Sequence, residues 1–264
     1  MKEKIRLILR SAATAFSLFS RVPMPKTAWQ PENMRYVLAS LPLIGVFMGL
    51  VLAAWWGVCK WLSFDSILLA AGIALLPLLV TGGIHLDGFC DTVDALSSHA
   101  EPERKREILK DPHVGAFAAI GVCAYLLAYF ALATELMDKS GSILLLFLIP
   151  AASRAVAGYI SVSIKSAGEG LLSAMQTAAP EGSAKKVLAV WMAVLGIAML
   201  AVSPFAGLFV VLTGALCGWL VRRMAVRQFG GMSGDISGFL IQTCELAMLG
   251  ALILTQRVMW IWFW

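Results

Sequence analysis

The chain has 264 residues, 59% of them hydrophobic and only 14% charged, with a net charge of +5. Soluble globular domains carry about 25% charged residues, so this chain lacks the polar surface to enclose a core of its own. A lipid bilayer must be part of its solvent, which excludes a cytoplasmic enzyme, a secreted disulfide scaffold and a disordered chain. The basic residues lie between apolar runs and form no patch interleaved with aromatics, so they mark membrane orientation and not a nucleic-acid partner. The five cysteines are scattered, odd in number and without a CxxC pair, and read as reduced small hydrophobes.

The first 36 residues resemble a signal peptide only superficially. Arg6 and Arg10 interrupt the apolar stretch, and Arg21 and Pro23 follow without a cleavage site. The segment is expected to be retained as an amphipathic helix on the membrane surface. Seven apolar runs then approach the length of a spanning helix: 37–59, 65–82, 114–137, 142–162, 187–203, 205–221 and 236–256. Pro77 and Gly82-Gly83 break 65–82 near one end, so a full crossing there stays open. Ser203-Pro204 divides the fifth and sixth runs into a hairpin.

Alternating these spans places 17 of the 21 Lys and Arg on the side of the N-terminus, in segments 1–36, 83–113, 163–186 and 222–235. Lys60, Lys139 and Arg257 fall on the other side, and Arg154 lies within a span. This asymmetry predicts N-terminus in, C-terminus out, and chemistry on the cytoplasmic face. The expected architecture is all-α: a single polytopic membrane domain over 1–264, a bundle of about seven helices. Within it, 83–113 forms an Asp-rich catalytic segment and 222–235 a Gly-rich loop.

Asp87, Asp91 and Asp94 stand at i, i+4 and i+7 in GGIHLDGFCDTVDAL, which places three carboxylates on one helix face. Like charges at that spacing repel. Carboxylate oxygens suit Mg²⁺, which takes one or two of them together with substrate phosphates. A solvated acidic face is the plainer alternative. His85, just ahead of the stripe, is a candidate base or phosphate contact. Downstream, Arg104, Lys105 and Arg106 fit loop retention, whereas Lys110 beside the Asp111-Pro112 turn is a candidate phosphate contact.

In FGGMSGDISG, Gly230, Gly231, Ser233 and Gly234 could bring backbone N–H groups to an anion ahead of the last span. Asp235 is either a cap of that helix or a metal ligand. Arg154 is an intramembrane charge that needs a partner, either a stripe carboxylate or a substrate phosphate. Glu169, in the small-residue loop 165–170, is a weaker candidate ligand.

GGIHLDGFCDTVDAL, ILKDPHVGAFA and FGGMSGDISG together resemble the cobalamin synthase family, and FSLFSRVPMP and LPLIGVFMG extend the likeness over nearly the whole chain. Cys90, and Ser233 where threonine is more usual, are mild departures. The resemblance implies Mg²⁺-dependent transfer of phosphocobinamide from adenosylcobinamide-GDP to α-ribazole or its 5′-phosphate, with release of GMP. Asp87, Asp91 and Asp235, with Asp94, would hold metal; Asp94 or His85 would take the hydroxyl proton; Lys110 and Arg154 would steady diphosphate oxygens. An oligomer stays open. Two alternatives stay open, a CDP-alcohol-type phospholipid phosphotransferase and a membrane cation transporter; against the first, Asp87-Gly88 is not followed by that family's DGxxAR run. A cation transporter would place carboxylates near the bilayer midplane.

Overall fold

The computed structural model describes residues 2–25, 31–137, 141–179 and 182–263; Lys26, Lys139 and Trp264 lie outside them. The described residues form twelve helices and no strand, apart from one isolated parallel bridge between Ser166 and Met232. Helix α1 (Lys2–Phe19) leaves Ile5 and Leu9 exposed while Ser11 and Ala15 are buried beside α3 (Val37–Trp61), an arrangement that suits an interfacial helix. The short α2 (Pro31–Met34) separates the two.

Among the described residues, six helices are long and apolar enough to cross a membrane: α3, α7 (Ala116–Thr134), α8 (Leu144–Ser161), α10 (Ser183–Val202), α11 (Pro204–Phe229) and α12 (Gly234–Phe263). The expected run 65–82 is α4 (Ser66–Thr81), whose 16 residues reach only about 24 Å at 1.5 Å per residue. It meets the requirements for a span only together with α5 (Ile84–Ser97), from which it is bent by 95°. Gly82 and Gly83, at φ +67° and +82°, make that bend in left-handed conformations that side chains resist. Val80 then accepts a hydrogen bond from Arg21 N at 2.8 Å, so α4 returns to the end from which α3 starts.

Close helix approach depends on small residues, as expected inside a bilayer. A Cβ on Gly45 would lie 2.3 Å from Pro150 O, and one on Gly49 would lie 2.0 Å from Phe147 O, so α3 and α8 touch backbone to backbone. The hairpin at Ser203-Pro204 forms as expected, with Pro204 at the first turn of α11. One boundary needs correction. The segment 222–235 is mostly helix, because α11 continues through Arg222, Arg223 and Arg227 before Gly230 ends it at φ +76°. Arginine is a good helix former, and Arg223 lies over the Trp219 ring at 4.0 Å.

Candidate active site

Helices α5, α6 (Pro102–Ile108), α7 and α12 converge at one end of the bundle. The critical contact joins α5 to α12. A Cβ on Gly88 would lie 2.7 Å from the Asp235 Cα, and one on Gly238 would lie 2.8 Å from His85 O. This approach sets Asp235 beside the Asp stripe although nearly 150 residues separate them in sequence. Asp91 responds to that company: burial first, then the charges of Asp87, Asp235 and Asp94, push its carboxyl up to about 6.

Asp94 departs from the stripe. It accepts hydrogen bonds from Gly115 N at 2.6 Å and Ala118 N at 2.9 Å, and so caps α7. A Cβ at Gly115 would meet this carboxylate at 2.4 Å, which explains the glycine. Among the described residues, no three His, Cys, Asp or Glu side chains converge closely enough to enclose an ion alone. Asp94 is thus committed to α7, which leaves Asp87, Asp91 and Asp235 of the four expected carboxylates as candidates. Mg²⁺ ordinarily takes one or two carboxylates and fills its remaining positions with substrate oxygens and water.

A cavity of about 410 Å³ opens beside them, lined by Asp87, Asp235, Lys110, Arg106, Glu169 and Ser233 among others. Lys110 and Arg106 bring positive charge to the same lining. Arg106, expected more to hold the loop inside than to neutralise a diphosphate, donates to Phe229 O at 3.1 Å and lines the cavity. Lys105 is also no solvated loop charge, since it is 5% exposed and bonds Gln228 at 2.5 Å, clamping α6 to α11. Glu169 and its glycine neighbours arrive on the loop before α9 (Leu171–Ala178), which pairs with the Gly-rich turn through Met232 N to Lys165 O at 3.0 Å and Ala167 N to Met232 O at 2.8 Å.

That pairing corrects the glycine assignments. Gly230 N and Gly231 N donate to Val226 O and Ala225 O, so neither N–H faces an anion. A Cβ on Gly231 would lie 2.4 Å from Lys165 O; this glycine is required for the close approach of the two loops. Ser233 and Gly234 do line the cavity. Ser233 Oγ accepts from Ile236 N at 3.2 Å and is thus the cap of α12, leaving Asp235 free of that duty.

Arg154 also needs correction. It is 1% exposed, and its guanidinium meets Glu245 of α12 at 2.5 Å, with Ser153 Oγ donating to the same carboxylate oxygen at 3.0 Å. It lines neither cavity. Glu245 was missed, although an acid inside the last apolar run is the natural partner for an arginine inside another. His85 lies in the shared wall of this cavity and a second, apolar one, at what we call the neck. It is 5% exposed, its ring stacks on Phe19 with centroids 6.0 Å apart, and its Nε2 has no hydrogen-bond partner.

A site of clustered carboxylates facing cations at a helix-end cavity fits transfer chemistry on a phosphorylated substrate. The family model described as cobalamin-5-phosphate synthase matches residues 11–253. The chain belongs to that family. Among curated relatives, the adenosylcobinamide-GDP ribazoletransferase of Lachnoclostridium phytofermentans is 38% identical over 95% of each chain. The protein of the same name from Pseudomonas savastanoi pv. phaseolicola is 34% identical, covering 90% of this chain and 95% of its own. The one from Clostridium perfringens is 30% identical, covering 91% and 96%. No solved structure matches.

Proposed function

We propose that this chain transfers phosphocobinamide from adenosylcobinamide-GDP to α-ribazole or its 5′-phosphate in a Mg²⁺-dependent reaction, releasing GMP. What supports the reading, beside the family, is the gathering of Asp87, Asp91 and Asp235 beside a cavity that Asp87 and Asp235 line together with Lys110 and Arg106. A ribose hydroxyl of the acceptor attacks the phosphorus that carries cobinamide. The new O–P bond forms as the P–O bond to GMP breaks, GMP leaves with the electron pair, and the hydroxyl proton passes to a carboxylate of the cluster. Mg²⁺ held by Asp87, Asp91 and Asp235 would neutralise charge developing on the phosphoryl oxygens. Lys110 and Arg106 orient the diphosphate.

The excess of Lys and Arg in the segments at this end of the bundle supports a cytoplasmic orientation in a bacterial inner membrane. The test is purified protein in detergent or liposomes with adenosylcobinamide-GDP and α-ribazole, with and without Mg²⁺. GMP release that requires both acceptor and metal is expected, with loss of turnover in Asp87→Asn and Asp91→Asn. Absence of GMP release under all conditions overturns the reading.

A further inference from the structure

A second, smaller cavity adjoins the first as an annex, and the two share Phe19, His85, Leu171, Leu172 and Gly234 in their walls. Its remaining lining is almost wholly apolar and includes Leu38, Leu41, Met175 and Ile241. No charged side chain lines it. Of its polar side-chain atoms, Ser237 Oγ already accepts a hydrogen bond from Ser161. His85 Nε2 is buried and unpartnered. An unpaired ring nitrogen in an apolar site is costly unless a ligand meets it.

We propose that this annex is the subsite for the flat apolar base of the acceptor nucleoside, with His85 Nε2 as its hydrogen-bond partner. The inference rests on the ribazole-transfer reading and refines it. A guanine edge carries several donors and acceptors, which these aliphatic walls would leave unpaired. Phosphates and corrinoid amides belong with the charged wall of the wide cavity for the same reason. A glycosylated benzimidazole has one free ring nitrogen, an acceptor that the unpartnered His85 Nε2 can meet as a donor in its Nε2–H tautomer. The Phe19–His85 stack gives the neck a flat aromatic wall suited to a planar ring. A base seated here keeps its ribose at the neck, where the hydroxyl meets the phosphorus beside Asp87.

Three measurements of GMP release test the assignment. In the unaltered protein, benzimidazole riboside should be used better than indole riboside, its analogue with C–H in place of the free nitrogen. The expected ratio of kcat/KM is about fivefold to tenfold, the worth of one neutral hydrogen bond. His85→Leu should abolish that preference. Met175→Phe, which narrows the annex, should raise KM for α-ribazole by about tenfold or more and leave KM for adenosylcobinamide-GDP within about twofold. An unchanged preference in His85→Leu, equal use of the two ribosides by the unaltered protein, or a Met175→Phe effect confined to adenosylcobinamide-GDP overturns the subsite. Should either variant fail to fold, the riboside ratio in the unaltered protein still decides. Failure of the underlying reading is distinct: no GMP is released with any acceptor.

Discussion

Gly88 and Asp235 meet so closely that any side chain at residue 88 would strike the Asp235 backbone, with a Cβ 2.7 Å from its Cα and 2.8 Å from its carbonyl oxygen. This contact holds the third carboxylate of the cluster beside the first two. Gly88→Ala must push α5 away from α12. Overpacking of this kind costs about 1–3 kcal/mol. The expected result is a lower melting temperature and a larger proportional loss of GMP release, with the Mg²⁺ concentration for half-maximal activity raised. Normal Mg²⁺ dependence in this variant would dissociate the contact from the site.

Ser233 and Asp235 separate capping from chemistry. Ser233→Ala removes the acceptor for Ile236 N and should cost about 0.5–2 kcal/mol of stability, read as a lower melting temperature, while turnover persists. Asp235→Asn should leave the melting temperature nearly unchanged, lower activity by orders of magnitude and raise the Mg²⁺ requirement. Asp65→Asn is the control, because Asp65 caps α4 through Leu68 N at 2.8 Å and Asn caps nearly as well. Full activity of Asp235→Asn at limiting Mg²⁺ would remove it from the metal site.

Asp91 predicts a pH dependence with a definite sign. Its folded pKa of about 6 lies above the ordinary carboxylate value of about 3.9. The fold therefore favours the protonated form, and that advantage is complete below pH ~4 and lost as pH rises toward about 6. Metal-free protein should show a melting temperature that falls over this window, and Asp91→Asn should flatten the trend. Because protons compete with the cation, the Mg²⁺ requirement should rise below pH ~6 by up to about tenfold per unit. A requirement independent of pH between 5 and 7 would exclude Asp91 as a ligand.

The buried pair of Arg154 and Glu245 distinguishes architecture from catalysis. Glu245→Gln leaves a guanidinium uncompensated among apolar helices, and breaking such pairs costs about 3–5 kcal/mol. Yield and melting temperature of the detergent-solubilised protein should fall together. Arg154→Leu with Glu245→Leu should restore most of that loss and retain GMP release. Restored stability without turnover would return Arg154 to the substrate.

Much of this was legible from spacing alone. The i, i+4, i+7 stripe foretold a helix with carboxylates on one face, and Gly82-Gly83 foretold the break before it. Asp94 could not be placed that way, since its capping role depends on how the start of α7, more than 20 residues on, packs against α5. The use of Gly231 was equally hidden, because it depends on a loop at 165–167 that local sequence does not tie to it. The span boundary at 221 failed for another reason: a helix does not stop where its residues become charged. The Arg154–Glu245 pair was visible in principle, as each charge interrupts an apolar run, but matching them across 91 residues requires the packing of α8 on α12.

That separation has a consequence for how the protein is made. At about 5–20 residues per second of synthesis, Glu245 follows Arg154 by roughly 5–18 s. For that interval α8 presents an arginine whose neutralising partner has not yet been translated. Until α12 arrives, the insertion machinery, surface-directed snorkelling or bound water must carry the charge. A nascent chain stalled before α12 is thus marked as unfinished by a single unmatched guanidinium, a feature that membrane quality control can read without any knowledge of the active site.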